Sequence, residues 1–341
     1  MVPLPHYEYL PWLLSSHPAH PPHFMASIRQ PKESTPVLVF LLLLSFTDLC
    51  VASRKLSSLY QPPPTILTYH RGALLEGNIP ISVLWYGKFS PSQRSIITDF
   101  LLSLTPPHRP TTFAIITPTV SKWWRTVDYY VQKAGKRKTH VLLTNQVLDE
   151  GYSMGRLLRR SDVSELARRL GVMAGGVALV LTAADVAVEG FCSAACGMHG
   201  SVAAGSARSV YIWVGDSLSQ CPGQCAWPFH EPAYGQQGQP LGAPNGDVGL
   251  DGMVINLATL LAGSVTNPYG GGFFQGDRDA PVEVAAGCPG VYGKGAYPGY
   301  AGKLRVDVKT KASYNVEGEK GRKYLVPALL DPISNSCLPM V

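Results

Sequence analysis

Charge is scarce in this chain. Only 15% of its 341 residues are Asp, Glu, Lys or Arg, and 29 basic against 23 acidic residues leave a formal net charge of +6. A nucleic-acid-binding surface needs a dense basic face with interleaved aromatics. Here the basic residues are scattered, apart from "KAGKRK" (133–138) and "RLLRRSDVSELARRL" (156–170), which read as solvated surface, so nucleic acid is excluded as a partner. Ready-made catalytic motifs are missing too. There is no P-loop, no dinucleotide fingerprint and no G-x-S-x-G elbow, the loop around Ser206 being merely rich in small residues. No segment repeats at a fixed period, and the leading reading calls for no cofactor and no metal.

A long hydrophobic run is also lacking at the N-terminus. Val37 to Phe46 is an apolar stretch of about ten residues, within the range of a signal-peptide core and short of the ~20 that span a bilayer. Arg29 and Lys32 precede it, and Cys50-Val51-Ala52-Ser53 offers small residues for cleavage. Residues 25–53 therefore read as a secretory signal peptide starting at Met25, with no membrane attachment after its removal. Residues 1–24, rich in Pro and His, do not belong in front of such a signal and read as a gene-model extension. Residues 54–64 form a proline-containing lead-in.

Cysteine is rare before residue 192; once Cys50 leaves with the signal, Cys192, Cys196, Cys221, Cys225, Cys288 and Cys337 remain. An even count in an exported chain points to disulfides with pairing left open. The competing reading is zinc held by "CSAAC" and "CPGQC", whose spacing structural zinc tolerates.

What is present is a core and a loop-rich second half. Hydrophobic residues make up 45%, and most of the 34 glycines follow residue 189. "IPISVLWYG" (79–87), "TTFAIIT" (111–117), the start of "THVLLTNQVLDEG", "GVALVLT" (176–182) and "ARSVYIWVGDS" (207–217) have strand composition. "SPSQRSIITDFLLSL" (90–104) is an amphipathic helix with Ser90 as cap, Pro91 at its first position and Gln93 completing a capping box. "SKWWRTVDYYVQKAG" (121–135), "SDVSELARRLG" (161–171) and "DGMVINLATLLAGSVTNP" (251–268) read as further helices, and "KLRVDV" and "GRKYLVPALLDP" as terminal strands. This order predicts a single α/β domain with a mixed sheet over 65–341, carrying long Gly-rich, disulfide-stabilised loops in its C-terminal half.

Chemistry-bearing side chains concentrate at "CGMHG" (His199), "WPFHEP" (His230, Glu231), "NGDVGLDG" (Asp247, Asp251) and "GDRDAPVE" (Asp277, Asp279, Glu283). Neither histidine has a partner ligand one helical turn away, so each reads as a loop histidine satisfied by a hydrogen bond. The aspartates fit Asx turns and helix caps, with Asp251 placed to cap the helix that follows.

Four segments together, "LTYHRGALLEGNIPISVLWYGKFSPSQRSIITDFLLSL", "CPGQCAWPF", "APNGDVGLDGMVINLATLLAGSVTNP" and "GVYGKGAYPGYAGKL…SYNVEGEKGRKYLVPALLDP", resemble the plant EXORDIUM family, also called phosphate-induced proteins. The resemblance implies secretion to the apoplast, a role in brassinosteroid-associated growth and cell expansion, and no enzymatic activity. It further implies that helix 251–263 is a degenerate zinc-peptidase-like helix in a zincin-like frame. The resemblance is to some relatives with a His-Glu-Leu-Ala-Glu run there, whose histidine and two glutamates fall on Thr259, Leu260 and Gly263 in this chain. None of these three can ligate zinc and act as base. The expected function is thus non-catalytic binding of a cell-wall polysaccharide or cell-surface protein, with Trp227, Tyr234, Tyr269, Phe273, Phe274, Tyr292 and Tyr297 as contact surface. The alternative is a wall hydrolase or metal-dependent enzyme built on His199, His230 and acidic loop residues, which would have to converge in one pocket.

Overall fold

Alternating side chains divide each central strand between two faces, and a separate core forms on each. The computed structural model describes residues 64–105, 118–204, 207–235 and 238–341. The signal segment, the extension before it and the strand expected at 111–117 lie outside these. The sheet strands are β1 (Asn78–Tyr86), β2 (His140–Asp149), β3 (Val177–Thr182), β4 (Gly197–Ala204) and β5 (Ala207–Gly215). Their spatial order is β2-β1-β3-β5-β4, parallel throughout except for β4, which pairs antiparallel with β5 along the edge. The register pairs Trp85 with Leu181 and Leu181 with Val214, so inward-facing rows run straight across three strands.

One face of the sheet carries Ile79, Ile81, Val83 and Trp85 of β1, Val177, Leu179 and Leu181 of β3, and Val210, Ile212 and Val214 of β5. Three helices bury their apolar sides on it: α1 (Pro91–Leu104), α2 (Val120–Lys133) and, after the short α4 (Pro222–Cys225), α5 (Val248–Thr266). The opposite face carries Leu84, Tyr86, Ala178, Val180 and Trp213 and is covered by α3 (Arg160–Arg169) through Val163, Leu166 and Ala167. Burial on both faces explains why β3 is an unbroken apolar run rather than an alternating one.

The helix starts follow local rules. The Ser90 hydroxyl accepts from Gln93 N while Gln93 Oε1 accepts from Ser90 N, a reciprocal pair that satisfies two exposed amides of α1. Asp247, not Asp251, caps α5: the helix begins earlier than the apolar pattern indicated, and the Asp247 carboxylate accepts from Leu250 N. Asp251 lies in the first turn, buried. α5 is apolar around most of its circumference and, among the described residues, is the one helix long and apolar enough to cross a membrane; here it lies inside the core.

After α5 the chain is mostly loop. The strands expected at 303–308 and 321–332 shrink to two-residue ladders, Arg305–Val306 with Ser313–Tyr314, Lys323–Tyr324 with Val316–Glu317, and Leu329–Leu330 with Cys337–Leu338. Val306 and Val308 are exposed, so the first of these segments has no apolar face to hold a longer strand. Buried Asn315 ties the loops together, donating to the carbonyls of Tyr292 and Val326 and accepting from Val326 N. Three disulfides, Cys192–Cys221, Cys196–Cys225 and Cys288–Cys337, complete the scaffold.

Candidate functional site

The middle of α5 lies against the edge strand β4, and three positions there decide what chemistry it can host. The Thr259 hydroxyl is turned back on its own helix, donating to Ile255 O at 2.9 Å. Leu260 packs over Gly197 of β4, where a Cβ would stand 2.7 Å from its methyl group. Gly263 has no room for a side chain, since a Cβ there would lie 2.1 Å from Glu283 Oε2 and 3.3 Å from His199 Nε2. A hydroxyl engaged with the backbone, an apolar side chain and a bare backbone do not fit zinc. Among the described residues no group of three or more His, Cys, Asp and Glu side chains is placed to hold a metal ion.

What fills the gap beside Gly263 is a polar chain anchored at the end of the helix. Asn267, the C-cap, accepts from Gly272 N and donates to Glu283 Oε1 at 2.8 Å. Glu283 Oε2 meets His199 Nε2 at 2.9 Å. His199 is thus on a strand rather than in a loop as its Gly-rich surroundings suggested, and only one of its ring nitrogens is satisfied. Nδ1 is buried without a hydrogen-bond partner, an arrangement that costs about 1–3 kcal/mol for a polar atom removed from water. Of the dispersed acid–base candidates only His199 and Glu283 come together. His230 is exposed and meets the carbonyl of its neighbour Glu231 at 3.1 Å, while Asp277 and Asp279 share an exposed turn.

The acids at the start of α5 are structural. Burial pushes the Asp216 carboxyl up to about 6 against the bond from Leu218 N that favours its charge. Burial likewise raises Asp251 to about 7, opposed by hydrogen bonds from the backbone and side-chain amides of Asn245. Gly249 is what allows Asp216 to approach, its missing Cβ leaving 2.1 Å to Asp216 Oδ1.

A second feature lies in the loops. A groove of about 720 Å³ is walled by Trp227, Tyr234, Tyr297 and the prolines Pro232, Pro289 and Pro298. A smaller one of about 240 Å³ sits beyond Trp227 and includes His230 and Tyr300. Tyr234 is 89% exposed and Tyr297 60%, so both rings are open to a ligand. The Tyr297 and Tyr300 rings lie 5.1 Å apart.

The other aromatics expected at the surface are elsewhere. Phe273 and Phe274 are buried because they pair with Tyr69 and Thr68 across a short ladder; Phe273 stacks on Tyr69 at 4.8 Å and Phe274 on His70 at 3.9 Å. Tyr292 is buried behind Trp227 with its ring 5.7 Å away, and this burial pushes its phenol pKa up. Tyr269 packs under the Arg208 guanidinium and donates to Arg208 O, lining neither groove. The groove prolines have no motif of their own in the sequence; their signal is the recurrence of Pro, Gly and aromatic residues in "WPFHEPAYG" and "GAYPGY".

Comparison with known proteins gives a consistent picture across this whole scaffold. Residues 67–340 match the family model described as the phosphate-induced protein 1 conserved region. The chain is 52% identical over 312 residues to Protein PHOSPHATE-INDUCED 1 of Nicotiana tabacum, covering 89% of this chain and 98% of that protein. It is 53% identical over 279 residues to Protein EXORDIUM-like 1 of Arabidopsis thaliana, covering 80% of this chain and 89% of the relative. With Protein EXORDIUM of the same plant it shares 49% identity over 314 residues, 89% and 99% of the two chains. No solved structure matches the chain. The buried helix, the disulfide-tied loops and the aromatic groove thus all fall within the matched region, and the chain belongs to the phosphate-induced protein 1 (EXORDIUM) family.

Proposed function

We propose that this protein is an exported, non-catalytic binder of the plant cell wall that promotes growth and cell expansion by engaging a wall polysaccharide or a cell-surface protein. The observation that carries this reading is the groove in which the exposed rings of Tyr234 and Tyr297 and the half-buried ring of Trp227 stand among prolines, with no charged side chain among the described residues that line it. Such rings offer large, rigid contact area to a neutral ligand. Export rests on the leader at 25–53 and accords with three disulfides, which persist in oxidising compartments. The link to brassinosteroid-associated growth comes from the family resemblance.

The reading of the frame as a degenerate zinc-peptidase belongs to the same proposal. It is supported by α5 lying along β4 and β5 with Thr259, Leu260 and Gly263 at the positions that would carry ligands and base. One observation favours the alternative of acid–base chemistry. Glu283 orients His199 through Nε2 and leaves Nδ1 uncommitted, the relation by which a carboxylate prepares an imidazole as a base.

Binding of neutral wall polysaccharide fractions to the secreted protein separates the two. Trp227→Ala and Tyr297→Ala are each expected to weaken binding about tenfold or more, a loss of about 1.4 kcal/mol, while His199→Ala leaves it unchanged. Release of products from the polymer that His199→Ala abolishes would replace the binding reading by the enzymatic one.

A further inference from the structure

Two of the disulfides form one sulfur cluster. Cys192 and Cys196 flank a tight surface turn leading into β4, in which Cys192 N donates to Ala195 O and Ser193 and Ala194 are exposed. Cys221 and Cys225 are the N-cap and the last residue of α4 (Pro222–Cys225), a single turn held on α5 by the bond from Asn256 Nδ2 to Cys225 O. Cys192 is bonded to Cys221 and Cys196 to Cys225, so two parallel bridges of equal sequence separation, 29 residues each, join the turn to α4. Across the bridges, Cys221 Sγ and Cys225 Sγ are only 3.7 Å apart, in van der Waals contact without a bond. Cys192 has a left-handed backbone, φ +67°, a conformation a non-glycine residue holds only under constraint from its surroundings. The side chains of Cys192 and Cys221 are half-buried, whereas Cys225 is fully buried. Cys196 is half-buried as well, so the first bridge is the one with both of its cysteines open to solvent, and it is the more accessible to an incoming thiolate.

We propose that these four cysteines form a thiol–disulfide exchange site, whose co-reactant is a small thiolate and whose product is the pairing Cys192–Cys196 with Cys221–Cys225. The incoming thiolate attacks Cys192 Sγ, forming a mixed disulfide and expelling Cys221 as thiolate. Cys221 is already in contact with Cys225 and attacks it, forming the Cys221–Cys225 bond and releasing Cys196 as thiolate. Cys196 then attacks Cys192, closes the second short loop and returns the co-reactant as the thiolate that entered. Two disulfides are consumed and two formed, so no net oxidant or reductant is required. In the starting pairing the turn and α4 are cross-linked; in the product each segment is bridged only to itself. Gly223 and Gln224, between Cys221 and Cys225, line the 720 Å³ groove, so the exchange alters what holds that wall in place.

Trypsin makes the two pairings distinguishable without any variant. Cleavage after Arg169, Arg208 and Arg278 yields peptides 170–208, carrying Cys192 and Cys196, and 209–278, carrying Cys221 and Cys225, with no internal Lys or Arg in either. The natively folded protein is incubated with catalytic reduced glutathione, alkylated at acid pH and digested without reduction. Before incubation the two peptides are expected as one disulfide-linked pair. Afterwards they should separate, each unalkylated and two hydrogens lighter than its reduced form, with Cys288–Cys337 still bonded. Peptides that stay linked, that separate only with all four thiols alkylated, or that separate only when Cys288–Cys337 is scrambled as well would overturn the proposal.

Discussion

A glycine inside a helix ordinarily weakens it by about 1 kcal/mol relative to alanine. Gly263 should reverse that sign. Its missing Cβ is the space taken by Glu283 Oε2, at 2.1 Å, and adding a methyl group forces the Asn267–Glu283–His199 chain apart. Gly263→Ala is therefore expected to destabilise the protein by about 1–3 kcal/mol, the range for overpacking. Gly151→Ala, where a Cβ meets nothing within 4 Å, should be close to neutral. Thermal melts of the two variants check this, and a stabilised Gly263→Ala would contradict it.

Titration offers a second test at the same scale. Asp216 and Asp251 ionise near pH 4 when unfolded but at about 6 and about 7 when folded, because burial disfavours their charge. Between those values the native state binds more protons than the unfolded chain, so stability falls as pH rises from about 4 to about 7. Glu165, held at about 2 by the Arg168 and Arg169 guanidiniums, works in the opposite sense only below its ordinary value. The melting temperature should accordingly be higher near pH 5 than near pH 7. Asp251→Asn should flatten that slope; an unchanged slope would remove Asp251 from the account.

At the scale of elements, the starts of α1 and α5 are coupled through one side chain. Gln93 completes the capping box with Ser90 through its Oε1 and donates through Nε2 to Asp247 Oδ2 at 3.1 Å, and Asp247 is the cap of α5. Ser90→Ala removes one cap and should cost about 1 kcal/mol. Gln93→Ala touches both helices and is expected to cost more than Ser90→Ala in denaturant unfolding; equal or smaller loss would mean the two starts are independent.

These helices were legible because their signals are local. Ser90, Pro91 and Gln93 announce α1 within four residues, and Val127 and Val131 place the inner side of α2. β4 was not legible. Its sequence "GMHGSVAA" has one β-branched residue, Val202, and its extension comes from pairing with β5, where the glycines let Tyr211 and Leu260 lie close. The sequence around His199 therefore looks like a loop, and its partner Glu283 lies 84 positions away, beyond any spacing rule. Disulfide pairing was opaque for the same reason, since it is set by where the turn before β4 meets α4.

For the whole molecule, the division of labour is between a doubly covered sheet that fixes α5 and a set of loops that carries the exposed rings. Among the described residues, α1, α2, α3 and α5 all turn their apolar sides to the sheet. The loops after residue 220 gain definition from Asn315, the Cys288–Cys337 bridge and short ladders, and they place Trp227, Tyr234 and Tyr297 around one groove. Composition had pointed to that region but could not sort buried rings from open ones. Phe273, Phe274 and Tyr292 are paired with aromatic neighbours inside, which depends on contacts distant in sequence.

The most direct test of this account is the equilibrium affinity of the intact secreted protein for fractionated wall material, compared with that of the Trp227→Ala/Tyr297→Ala double variant at equal thermal stability. Saturable binding by the native protein, lowered a hundredfold or so by the double change (about 2.7 kcal/mol), is the expected result. Undiminished affinity in the double variant would mean that recognition does not run through this groove.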